Sequence, residues 1–146
     1  MALAQLQMLV KFQQEKEDKL RALYQGAQAN YQNMQQKFDG LAAYRTDYLQ
    51  QTQQRGQHGM ASRQFNQYLN FISKLDKALS QQQQAVQQAK AAAEQRMRQY
   101  LEMQKKRKAL ELLIEKEQLA QQAKTARQEQ KLLDEIATQQ FFRRVS

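Results

Sequence analysis

The sequence predicts an all-α protein, a long antiparallel two-helix coiled coil folded as a helical hairpin. Three observations predict it: a composition without helix breakers, two heptad registers, and a pair of glycines between them. The 146 residues include no proline, cysteine or tryptophan and only four glycines. Strands and tight turns need punctuation of those kinds, so long uninterrupted helices are expected. Glutamine, alanine, leucine and lysine dominate, and all are good helix formers. The apolar fraction of 41% is thin for a multilayer core but sufficient for a narrow a/d seam.

The first register places a at Leu3, Val10, Glu17, Tyr24, Tyr31, Phe38 and Arg45, and d at Leu6, Gln13, Leu20, Ala27, Met34, Leu41 and Tyr48. Eleven of these fourteen are apolar or aromatic, which predicts a helix over residues 3–52. The segment QQRGQHGMAS follows, with Gly56 and Gly59 close together, and is read as a turn over 53–61. A second register opens with a at Phe65, Ile72, Leu79, Val86, Ala93 and Tyr100, and d at Tyr68, Leu75, Gln82, Ala89, Arg96 and Met103. It predicts a helix over 62–111. Past Leu110 it falters, with Arg107, Glu117 and Gln121 on seam positions, and a weaker stripe of Leu112, Leu119, Ala126 and Leu133 takes over. A helical extension over 112–138 and a tail over 139–146 are therefore expected within one coiled-coil domain, residues 1–146.

A hairpin accounts for the faltering. If residue 52 folds back onto 62, facing residues have numbers summing to about 114, so helix one runs out of partner opposite 111. Arms of about 75 Å follow from a rise of about 1.5 Å per residue. In an antiparallel pair the g positions of the two helices line one flank of the seam. Tyr44 and Phe71 are both g positions and nearly face one another. That flank collects Lys37, Tyr44, Phe71 and Ala78 at g, with Leu41, Tyr48, Leu75 and Gln82 at the adjoining d. It is richer in aromatics than a seam requires, and clustered exposed aromatics are favoured docking anchors.

The formal charge of +9, nearly all of it after residue 52, points to acidic partners without choosing among them. The run Lys105–Lys108 winds around more than half the helix and has Glu102, Glu111 and Glu115 within reach, which favours a solvated face over a nucleic-acid stripe. The first residues lack a signal-peptide pattern, and no segment approaches the ~20 apolar residues of a membrane span. The sole histidine, His58, has no cysteine or paired carboxylate nearby, and no phosphate-binding loop is present. No enzyme activity, metal or cofactor is expected. Phe141, Phe142, Arg143 and Arg144 place two aromatics beside two cations near the end of the sequence.

The blocks LAAYRTDYLQ (41–50), NQYLNFISKLDKALSQQ (66–82) and ARQEQKLLDEIA (126–137), with EKEDKLRAL (15–23) as a weaker match, resemble the FliJ family of flagellar type III export components. The resemblance implies an antiparallel two-helix coiled coil similar to the terminal helices of the rotary ATPase γ stalk. It implies three partners: the ring of the export ATPase FliI, the linker region of the export gate protein FlhA, and substrate-specific export chaperones that are recycled. The family's gate-binding patch corresponds here to Leu41, Tyr44, Tyr48, Phe71, Leu75 and Ala78. Lys37 and Gln82 stand where family members carry glutamine and histidine, a departure at the polar edges of the patch. By analogy with a stalk, Lys16, Glu17 and Leu20 with Gln130, Lys131, Asp134 and Glu135 would enter the ATPase ring. A cytoplasmic location is implied, peripheral to the inner membrane at the flagellar base, with membrane contact only indirect and no nucleic acid. The residues leave two other readings open, a basic helical nucleic-acid-binding protein and a structural homodimeric coiled coil.

Overall fold

The computed structural model describes residues 2–57 and 59–145. It contains two helices, α1 (Leu3–Gly56) and α2 (Ser62–Val145), packed antiparallel as a hairpin, with no strand among the described residues. The expectation at His58 lies outside the described residues. All fourteen a and d positions of α1 are buried or half-buried, as a two-helix seam demands. The fully covered apolar side chains are few: Leu6, Leu75, Ala89 and Ala93.

Several boundaries differ from expectation. α1 continues four residues past 52 and closes at Gly56, because Gln53, Gln54 and Arg55 are helix formers with nothing to stop them. The chain then reverses over five residues. Gly59 adopts φ 86°, a left-handed conformation that glycine enters without a Cβ clash, and its N–H donates to the Gly56 carbonyl at 3.1 Å. The segment expected as a tail, 139–146, is helical through Val145, since no proline or glycine interrupts α2 after residue 62.

The chain forms two compact units. One spans Asp18–Leu101 and contains the turn. There the helices are joined by Tyr44–Phe71, Tyr48–Tyr68 and a Tyr24–Tyr100 stack at 6.4 Å. Arg21 lies over the Tyr100 ring at 5.5 Å and donates to its hydroxyl at 3.3 Å. The other unit comprises the residues up to Glu17 and those from Glu102 onward. In it Leu6 packs in a groove with Leu113, Lys116, Glu117 and Ala120, and Glu17 meets Arg107. Partner numbers sum to 115 at Tyr44–Phe71 and to 124 at Glu17–Arg107, not to a constant 114.

Helix one therefore does not run out opposite residue 111. Arg107, Leu110, Ile114 and Glu117 all remain half-buried on the a/d register, and cover ends only after Glu117. Charged residues on the seam mimic a broken register in the sequence, yet one of them is paired. The stripe Leu112, Leu119 and Leu133 is 60% exposed or more. From Gln118 through Val145 every residue is exposed.

Candidate functional site

In the Asp18–Leu101 unit the aromatic flank is assembled from both helices. Tyr44 and Phe71 meet edge-on with ring centroids 6.1 Å apart. Phe71 also lies 4.4 Å from Tyr48, which stacks on Tyr68 at 5.7 Å, and Phe65 extends the row at 6.4 Å. These separations fall in or near the range of favourable aromatic pairing. The position of Phe71 follows from helix geometry. As a g residue of α2 it leans across the seam edge, where Tyr44 at g and Tyr48 at d of α1 receive it.

The two flanks are not equivalent. Every g position of α1, from Leu9 to Gln51, is exposed, whereas Gln28, Gln35, Ala42 and Leu49 at its e positions are half-buried. On α2 the g residues Phe71, Ala78, Ala85 and Gln99 are half-buried. The aromatic flank is thus a shallow surface, floored by α2 and edged by the open g row of α1. Arg45 holds an a position, but its Nε donates to Asp76 Oδ1 on the opposite flank at 2.6 Å. That leaves the aromatic side free of a competing ion pair from Arg45.

The eight residues of the predicted gate-binding patch occupy one neighbourhood with unequal access. Lys37 is exposed and Tyr44 is 52% exposed. Leu41, Tyr48, Phe71 and Ala78 are half-buried. Leu75 is only 7% exposed and belongs to the seam core, a correction to its place on a contact surface. Gln82 is half-buried and turned inward, its amide nitrogen donating to the Met34 carbonyl at 3.0 Å. Tyr68 and Phe65 extend the cluster toward the turn. Beside them lies an open apolar hollow of about 560 Å³ lined by Leu49, Thr52, Gln53, Gly56, Met60, Phe65 and Tyr68. Sequence reasoning placed Phe65 and Tyr68 in the seam alone. The signal that would have added them is their i,i+3 spacing leading to Phe71.

The predicted ATPase-contact residues do not form one patch. On α1, Lys16 is exposed, Leu20 half-buried and Glu17 buried. Glu17 is 1% exposed, held by Arg107 Nε at 2.5 Å and Nη2 at 3.3 Å. It cannot offer its carboxylate to a partner without breaking that pair. Arg107 also donates to Glu111 at 2.9 Å, and the bonds to Glu17 and Glu111 push its guanidinium still higher than its usual range, so it stays charged. Gln130, Lys131, Asp134 and Glu135 are exposed on α2 beyond the last covered residue, and Gln130 donates to Asp134 at 3.1 Å. They stand at least 23 residues along α2 from Arg107, about 35 Å, so they do not join Glu17.

Of the basic run, Lys105, Lys106 and Lys108 are exposed while Arg107 turns into the seam. Among the described residues no group of three or more histidine, cysteine or carboxylate side chains could hold a metal, and no helix is long and apolar enough to cross a membrane. What the arrangement offers chemically is recognition: an aromatic ledge on one side of a paired-helix scaffold. Comparison with curated proteins and with solved structures gives no match. A family model described as flagellar FliJ protein matches residues 1–146, over the same two helices and their connecting turn. The chain belongs to the flagellar FliJ family, components of flagellar protein export.

Proposed function

We propose that this chain is a non-enzymatic stalk and escort of flagellar export. It binds the ring of the export ATPase FliI and the gate protein FlhA, and it cycles substrate-specific export chaperones. It works in the cytoplasm, at the membrane-embedded export apparatus and without direct lipid contact. One observation carries the gate assignment: the Tyr44–Phe71–Tyr48 ring cluster, with Tyr44 half exposed on the open g row. An exposed tyrosine over half-buried aromatic neighbours has the anatomy of an interface anchor, apolar in the middle and polar at its tip. Lys37 supplies a cation at the edge, suited to an acidic residue on the gate. Two contacts with the ATPase ring are proposed, one at Lys16 and Leu20 and one at Gln130, Lys131, Asp134 and Glu135, with Glu17 withdrawn because it is committed to Arg107.

Two substitutions separate docking from packing. Tyr44→Ala removes a ring that is half in water, so the thermal midpoint should stay within a few degrees while capture of purified FlhA falls at least tenfold. Phe71→Ala removes the floor and should lower both. Capture should persist as salt rises, because an aromatic contact releases few counterions, whereas nucleic-acid binding would decline steeply. Unchanged FlhA capture by Tyr44→Ala would sink the gate assignment.

A further inference from the structure

We infer that the Glu17–Arg107 pair is a register device: it sets which residues of α1 and α2 face one another in its unit, rather than adding stability to their packing. Glu17 is the only fully buried charged side chain among the described residues, and it sits on a seam position, as does Arg107. Burying two charges costs desolvation that their attraction barely offsets, so apolar residues of similar volume usually stabilise such a site equally or better. The pair is therefore poorly explained as a source of stability.

Its neighbours explain it better. The apolar seam residues of this unit are Leu3, Leu6 and Val10 on α1, and Met103, Leu110 and Ile114 on α2. Aliphatic side chains of similar size tolerate a shift of one heptad, because each still meets another aliphatic. The charged pair does not. Shifted one way, Glu17 faces Ile114; shifted the other, Arg107 faces Val10. Either shift takes the Arg107 guanidinium away from the buried Glu17 carboxylate, which is heavily penalised. Arg107 is steadied further by Glu111 on its own helix. The unit thus accepts one alignment and rejects its nearest competitors.

The test uses the full chain, which has no cysteine, labelled with nitroxides at Gln7→Cys and Lys106→Cys. Both sites are exposed and offset along the hairpin, so a heptad slip changes their separation by up to about 10 Å. The natural pair should give one narrow distance distribution. Glu17→Leu with Arg107→Leu should raise or hold the melting midpoint while the distribution splits or broadens severalfold. Exchange of the two charges, Glu17→Arg with Arg107→Glu, should restore a single narrow peak. A double-leucine variant with one narrow peak at the original distance would overturn the inference, and so would one whose midpoint falls.

Discussion

Whether a charge matters depends on how much water it keeps, and two ion pairs in this chain sit at opposite ends of that scale. Arg45 and Asp76 meet at 2.6 Å with side chains 34% and 53% exposed, so solvent screens them. Asp76→Asn should cost less than about 1 kcal/mol in chemical denaturation, despite the short contact. Glu17 and Arg107 are 1% and 19% exposed. Removing Arg107 takes two charge-assisted hydrogen bonds from a carboxylate that is 1% exposed, and Arg107→Leu should cost about 3–5 kcal/mol. Glu17→Leu should cost roughly half as much, because Arg107 is long enough to keep Glu111 and reach solvent. The asymmetry is the informative part. Equal costs for the two single substitutions would mean that Glu17 is better hydrated than the packing indicates. Neither pair could be assigned from composition. The positions were visible, since Glu17 and Arg107 both fall on a sites, but they register as mismatches until the facing residue is known.

At the scale of the helices, legibility followed periodicity. All fourteen seam positions read from the heptad of α1 are shielded, because a narrow stripe at a 3.5-residue spacing has one way to hide from water. The meeting of Tyr44 and Phe71 was legible for the same reason, being a consequence of register plus chain reversal. Helix ends were less so. Glycine marks where reversal is permitted, not which glycine performs it, and only Gly59 has left-handed φ. Gly56 instead ends α1 in helical geometry, with open space where a Cβ would sit. Substitution should therefore act with opposite sign at the two sites. Gly59→Ala should destabilise by about 1–2 kcal/mol through backbone strain alone, while Gly56→Ala should be neutral or stabilising by up to about 1 kcal/mol. Melting curves of the two variants decide it, and a Gly56→Ala variant that melts lower would argue that the turn, not the helix, claims that residue. Around Leu110 and beyond it, polar residues on the seam look like interruptions in the sequence. Arg107 and Glu117 keep the register while departing from the residue type that usually fills it.

Across the molecule, cover by a partner helix divides α2 more sharply than any break in its backbone. The helix is continuous from Ser62 to Val145, yet its side chains are shielded only as far as Glu117. Up to that point helix formation is coupled to burial of a seam. After it, the helix rests on intrinsic propensity and on i,i+4 links such as Gln130–Asp134, worth a few tenths of a kcal/mol each. Most helical stability in proteins comes from packing, and a solitary helix of this kind opens readily in water. Amide hydrogen exchange should therefore show residues 68–103 well protected and residues 120–145 exchanging orders of magnitude faster. Ending the chain after Lys124, beyond the Ala120 of the Leu6 groove, should lower the helical signal in proportion to the residues removed. The cooperative midpoint of what remains should move by no more than about 0.5 kcal/mol, the range expected of changes outside any packed contact. Strong protection across 120–145 in the isolated chain would contradict this, since it would require the exposed Leu112–Leu119–Leu133 stripe to be covered by another copy. An export component whose second helix is only partly partnered keeps that segment's ordering free energy available for whatever binds it. The proposed ATPase-facing residues Gln130, Lys131, Asp134 and Glu135 all lie in that segment, so their binding should be accompanied by a gain of protection throughout 120–145 rather than at the contact alone.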